Sequence, residues 1–231
     1  MPGHTLDGSV VAVVVGASGV LGALIARALD ERGARVMLMG RDEQRLRDAG
    51  IADAPVVVAD LTDATAGETL VDAAREAYGR LDGVVNAAGV VAFGSLTDTE
   101  DAVIEELFMT NVIGPLWLLR RVAPMLADSS GFVVNVSAVV AGQPMPGMAA
   151  YSASKAALSA ADRALVRELR RSKISVIDVR PPHTETGLVT RSLSGQPPKL
   201  PEGLKPQVVA DRVVRAIEEG QPEVGADEFD A

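Results

Sequence analysis

Six short apolar runs recur along this chain, each followed by a stretch of helical periodicity. That alternation limits the fold more than any other feature. The runs are Val10–Val15, Arg35–Met39, Pro55–Ala59, Leu81–Asn86, Gly131–Val136 and Ile174–Val179. After the first, Val20–Arg32 sets Leu21, Leu24, Ile25, Ala28 and Leu29 on one helical face, and Gly33 closes the helix. Glu43–Ala49, Ala64–Tyr78, Thr99–Leu126 (one helix or two), Tyr151–Arg171 and Gln207–Glu219 read as further helices. Strands separated by crossover helices pair in parallel, and the helices cover both faces of the sheet. The expected fold is therefore α/β with a doubly wound parallel sheet. Its ligands belong beyond the carboxyl ends of the strands. Leu188–Pro206 is the one stretch of loop composition, with Gly195, Pro197, Pro198, Pro201, Gly203 and Pro206 crowded together.

Composition removes several function classes. A net charge of −9 argues against nucleic acid and anionic membranes, which select clustered Lys and Arg. The absence of cysteine excludes thiolate chemistry and disulfides, and two histidines 179 positions apart, His4 and His183, suggest no metal site. No apolar run reads as long enough to cross a membrane, and the first residues lack a secretory pattern, so a cytoplasmic protein is expected.

Chemistry gathers at three strand ends. The loop VVVGASGVLG spaces Gly16, Gly19 and Gly22 evenly between the first strand and its helix. Such a turn lets backbone approach a phosphate while the helix N-terminus offers free N–H groups; a plain tight turn is the simpler alternative. The second strand ends Met39–Gly40–Arg41 without an acid before Asp42, so Arg41 reads as a ligand for the 2′-phosphate of NADP, with NAD as the alternative. Tyr151 and Lys155, four apart, share a helical face, where the lysine charge favours the phenolate and makes the pair a tunable acid/base. Pro115 lacks the N–H that would bond the Asn111 carbonyl inside a helix, leaving that carbonyl to hold a water or the helix to kink.

The order GASGVLG, Asp60–Leu61, Asn86–Ala87–Ala88–Gly89, Asn111, a strand ending in serine, YSASK and RPPHTET resembles the short-chain dehydrogenase/reductase family from about residue 8 to about 220. The resemblance implies a single Rossmann domain over residues 1–231, of the family's compact branch, and a homodimer or homotetramer. It implies Tyr151 as acid/base, Lys155 lowering its pKa and holding the nicotinamide ribose, Asn111 holding a relay water, and Ser137 as the nearest serine to the family's catalytic position. It also implies a cofactor held by Gly16, Ser18, Gly19, Val20, Leu21, Arg41, Asp60, Leu61, Asn86–Gly89, Tyr151, Lys155, Pro181, Thr184 and Thr186.

Three departures from the family pattern stand out. The middle glycine is Gly19 rather than the residue at Val20, a spacing that resembles the extended branch; only about 50 residues follow the sixth strand, too few for that branch's second domain. The position thirteen before Tyr151 is Ala138, with Ser137 one place early, so either a bend turns Ser137 inward or a neighbour such as Gln143 assists Tyr151. Pro181–Pro182 replaces Pro-Gly, and His183 reads as a partly exposed loop residue.

The expected activity is interconversion of a carbonyl and a secondary alcohol by an NADP-preferring enzyme. The alternatives are a catalytically weak dinucleotide-binding sensor or scaffold and an epimerase or dehydratase that recycles its cofactor. Val90–Gly94, Gln143–Met148 and the 188–206 loop, as a lid, should wall the pocket. Phe93, Met145, Met148, Leu188 and Leu193 there favour a neutral, fairly apolar substrate.

Overall fold

The computed structural model describes residues 3–229; residues 1, 2, 230 and 231 of the expected 1–231 unit lie outside the described residues. Seven parallel strands form one sheet: β1 (Val11–Val15), β2 (Arg35–Gly40), β3 (Val56–Val58), β4 (Gly83–Asn86), β5 (Phe132–Val136), β6 (Ser175–Val179) and β7 (Glu223–Val224). Their spatial order is β3-β2-β1-β4-β5-β6-β7. The helices are α1 (Val20–Glu31), α2 (Glu43–Arg47), α3 (Ala66–Tyr78), α4 (Asp101–Phe108), α5 (Gly114–Ser129), α6 (Ala149–Glu168) and α7 (Pro206–Glu219).

The pleat of β1 shows why the central strands are apolar throughout. Ala12 and Val14 join a core with Ile25, Leu29, Val213 and Ile217 of α1 and α7. Val11, Val13 and Val15 face the opposite core, with Leu70 of α3 and Leu118 and Val122 of α5. In β4, Gly83 leaves room for the Phe132 ring, which a Cβ there would meet at 2.1 Å; the ring also lies 5.0 Å from that of His4. Strand order reverses between β1 and β4, opening the crevice at their carboxyl ends.

Two expectations change. β7 was not expected; it pairs Asp178 with Glu223 and Val179 with Val224. The one or two helices expected over Thr99–Leu126 are a single continuous helix, Asp101–Ser129, in which Met109–Ile113 widens to an i→i+5 turn with Gly114 N–H bonded to the Met109 carbonyl. At 29 residues and a mean hydropathy of 1.4 over its most apolar window, it is long and apolar enough to cross a membrane. That corrects the expectation that no run reaches this length. Leu118, Leu119, Val122 and Leu126 of the helix are buried in the fold, which accounts for part of its apolar composition.

Phe132→Ala empties a fully buried site bounded by Gly83 and His4. It should cost about 3–5 kcal/mol in urea-unfolding experiments.

Candidate active site

The cleft at the reversal has a volume of about 480 Å³. Its floor begins at the glycine loop, where each glycine has its own physical reason. Gly16 has a φ of +78° and lies so near the β4 loop that a Cβ would come within 2.7 Å of the Ala88 nitrogen. At Gly22 a Cβ would lie 2.3 Å from the Gly16 carbonyl oxygen, so α1 packs backbone to backbone against the loop. Gly19, the N-cap, has extended backbone, and a Cβ there would meet only the Gly16 oxygen at 3.3 Å. No side chain caps α1 and no acid stands in its first turn. This is an open cradle of N–H groups suited to a phosphate.

Beside it, Arg41 is mostly exposed and its Nη1 lies 3.8 Å from Asp60 Oδ2. Asp60 Oδ1 accepts hydrogen bonds from the Thr62 N–H (2.9 Å) and hydroxyl (2.8 Å). Arg45, which the sequence reading missed, donates from Nη2 to the Ser18 carbonyl at 3.2 Å and lines the same end of the cleft. Asp42, next to Arg41, accepts the Arg45 N–H through Oδ1 at 3.1 Å and caps α2. The residues present therefore fit a phosphorylated dinucleotide.

Gly16, Ser18, Gly19, Val20, Leu21, Arg41, Asp60, Leu61, Ala87, Ala88, Gly89, Tyr151, Lys155, Pro181, Thr184 and Thr186 all line the cleft, as does Ser137. Asn86 sits beneath it, donating from Nδ2 to Asn135 Oδ1 at 3.1 Å and accepting the Ala88 N–H at 3.3 Å. Asn111 is buried in the widened turn, where Oδ1 accepts the Val90 N–H and Nδ2 donates to the Val90 carbonyl and the Ser154 hydroxyl, all at 3.0 Å. A Cβ on Gly89 would lie 3.3 Å from both Asn111 Oδ1 and Lys155 Nζ, so the side chains of Asn111 and Lys155 approach the same glycine.

Tyr151 and Lys155 stand in the first turns of α6, both buried. Lys155 Nζ donates to the Val136 carbonyl at 3.0 Å. Burial lowers its pKa to about 8, opposed by the charges of Asp178 and Asp162. Burial also pushes the Tyr151 phenol above its ordinary value, the reverse of the lowering expected from the neighbouring lysine. Further along the helix, Asp162 Oδ1 accepts from Asn135 Nδ2 at 2.7 Å. Its Oδ2 has no hydrogen-bond partner among the described residues. Burial, with Asp178 nearby, raises Asp162 to about 8 against the Asn135 bond and the charges of Lys155 and Arg163.

The Ser137 hydroxyl donates to Asp178 Oδ1 and also lies 3.3 Å from the Val179 carbonyl, while Ala138 lines the cleft beside it. Gln143 is exposed and is not part of the cleft lining. The apolar wall comprises Val91, Phe93, Val140, Met145, Met148 and Leu188. Two pairs of backbone bonds tie the 188–206 loop down, one to this wall and one to the segment after β6. Leu193 N–H bonds to the Val91 carbonyl and Phe93 N–H to that of Ser194. Leu204 N–H bonds to the His183 carbonyl and Glu185 N–H to that of Leu204. Glu185 Oε1 also accepts the Gly203 N–H at 2.9 Å and lies 3.2 Å from His183 Nε2, and His183, Arg191 and Leu200 join the lining.

The family model of the short chain dehydrogenases matches residues 10–197, and the chain belongs to that family. It is 34% identical over 211 residues to an uncharacterized oxidoreductase of Staphylococcus epidermidis, covering 90% of each chain. A short chain dehydrogenase from Burkholderia cenocepacia, solved in complex with NADP, superposes with a TM-score of 0.83 at 29% identity, over 96% of this chain and 90% of that one. A 3-ketoacyl-(acyl-carrier-protein) reductase from Brucella melitensis, complexed with NADH, shares the fold alone: TM-score 0.86 at 24% identity, over 96% and 97% of the two chains.

Asp162 carries a stability signature. Its folded pKa, about 8, lies above the unfolded value of ~4, so between those values the folded state keeps a proton that the unfolded chain has released. Its contribution to stability therefore falls as pH rises through that window. The urea midpoint of Asp162→Asn, relative to the unsubstituted protein, should rise steadily between about pH 5 and pH 8. A difference independent of pH would mean that Asp162 is ionised throughout.

Proposed function

We propose that this protein, an oxidoreductase of the nicotinamide-dependent short-chain class, interconverts a carbonyl compound and its secondary alcohol with Tyr151 as the acid/base. The observation that carries this reading is the burial of Tyr151 and Lys155 one helical turn apart in the cleft that also holds the glycine cradle. A bound nicotinamide dinucleotide supplies or accepts the hydride. Tyr151 gives a proton to the substrate oxygen in reduction and recovers it in oxidation; its raised pKa keeps it in the donating state. Lys155 would hold the ribose beside it, with one ammonium proton committed to the Val136 carbonyl. Pro181, Thr184 and Thr186 would meet the nicotinamide end, and the Asn111 turn would hold the relay water. Because the Ser137 hydroxyl is engaged by Asp178, the substrate oxygen is assigned to Tyr151 without a serine partner.

NADP is the proposed preference, because Arg41, beside Asp60, and Arg45, bonded to the Ser18 carbonyl, both line the cleft. The apolar wall supports a neutral, fairly hydrophobic substrate. The 188–206 loop, stitched at both ends, would act as a lid whose free arc is residues 196–202. The exposed apolar side of Asp101–Ser129, including Leu116, supports assembly as a homodimer or homotetramer. One catalytic unit in the cytoplasm completes the reading.

Tyr151→Phe should lower kcat with a panel of ketones and aldehydes by about 10²- to 10⁴-fold and leave NADPH binding unchanged. Retained turnover refutes the assignment. Replacing both Arg41 and Arg45 by Ala should weaken NADPH roughly 10- to 100-fold in titration calorimetry while sparing NADH. Equal losses for the two cofactors would place the arginines elsewhere than at the 2′-phosphate.

A further inference from the structure

The buried face of α6 continues past the proposed acid/base pair. Lys155, Ser159 and Asp162, at i, i+4 and i+7, are all buried against β5 and β6. Facing them, Asp178 of β6 is 2% exposed and is gripped from two elements. Ser137 at the end of β5 donates to its Oδ1, and Ser159 of α6 donates to its Oδ2 at 2.5 Å. The carbonyl that Lys155 grips belongs to Val136, the residue before Ser137, so lysine and carboxylate are tied to adjacent residues of one strand end.

We propose that Asp178, fixed by Ser137 and Ser159, is a positioning residue that supplies the counter-charge holding Lys155 as a buried ammonium. The inference rests on the Proposed function for the role of Lys155, but not for the charge pairing itself. It assigns Ser137 to the carboxylate instead of the substrate, and it gives a reason for an acid in a strand that is buried along its whole length.

The neighbours of the pair are consistent with this division. Asp178 is the largest of the charges opposing the effect of burial on Lys155, ahead of Asp162. From α6, Arg163 donates to Ser159 at 3.0 Å and bears on Asp162. At the end of β6, Arg180 Nε lies 3.5 Å from Asp178 Oδ2, while its other end pairs with Glu223 of β7. Arg180 is thus shared between two acids. Asn111, which approaches Gly89 beside Lys155, and Asn135, bonded to Asp162, add neutral groups. Burial and the nearby Asp178 raise the Asp162 carboxyl, which leaves it the weaker of the two counter-charges to Lys155.

The chain has four lysines: Lys155, Lys173, Lys199 and Lys205. Carbon-13 lysine labelling therefore gives a resolvable NMR titration, with Lys155 assigned by the signal lost in Lys155→Arg. Asp178→Asn, nearly isosteric, should lower the Lys155 midpoint by on the order of one pH unit or more. Ser137→Ala should lower it less, and Asp162→Asn less than Asp178→Asn. The alkaline limb of the turnover profile should move with it. An unchanged Lys155 midpoint in folded Asp178→Asn, even with lowered thermal stability, overturns the proposal, because a packing role alone would not move it. Should Asp178→Asn fail to fold, Ser137→Ala decides: a lowered midpoint supports the assignment and an unchanged one overturns it. Absence of turnover in the unsubstituted protein with the ketone and aldehyde panel would count against the proposed carbonyl–alcohol reaction and leave the lysine titration to judge this inference separately.

Discussion

Burying a polar helix face against the middle of a parallel sheet is costly unless each polar group finds a partner, and α6 buries Tyr151, Ser152, Ser154, Lys155, Ser159 and Asp162. The sheet answers with polar residues at matching heights. Asn135 meets Asp162, the Val136 carbonyl meets Lys155, and Asp178 meets Ser159. From there the network spreads sideways through Asn86 to the β4 loop, and through Ser154 to Asn111. The β4 loop in turn sits against Gly16, so the glycine cradle and the helix carrying Tyr151 are referenced to one buried lattice. Slipping α6 by a residue would strand several charges and amides together, which makes its register hard to lose.

The sequence made the layer order legible because apolar runs with intervening helical periodicity admit few parallel arrangements, and it named most of the cleft because strand ends and glycines announce themselves locally. What it hid depends on distant partners. β7 is two residues long, Glu223–Val224, and becomes a strand through the open edge of β6. The direction of Ser137 is set by Asp178, 41 positions later. Arg45 sits in a short, highly charged helix where no periodic signal separates a cleft residue from a solvated one.

Electrostatics in the cleft run against those of the chain. The protein carries a net charge of −9, but the charged side chains lining the cleft are Arg41, Arg45, Lys155 and Arg191 with Asp60 as the one acid among the described residues. Against an acidic exterior such a pocket concentrates an anionic ligand at its mouth and leaves other polyanions without a continuous basic surface. Asp60 tempers the field at one end, and its own carboxylate is partly spent on Thr62.

The apolar wall and its loop extend the argument from charge to shape. Gly195 has a φ of +71°, and a Cβ there would lie 1.9 Å from the Phe93 carbonyl oxygen, so the loop touches the wall at a point where no other residue fits. The second tie, through Glu185 and Leu204, starts within a few residues of Pro181 and Thr184 on the strand-end loop after β6. A lid hinged on these two ties would be coupled to the segment proposed to meet the nicotinamide. Closing over a substrate and seating that segment then become one movement, and the stiff Pro181–Pro182 pair limits how far either can go without the other.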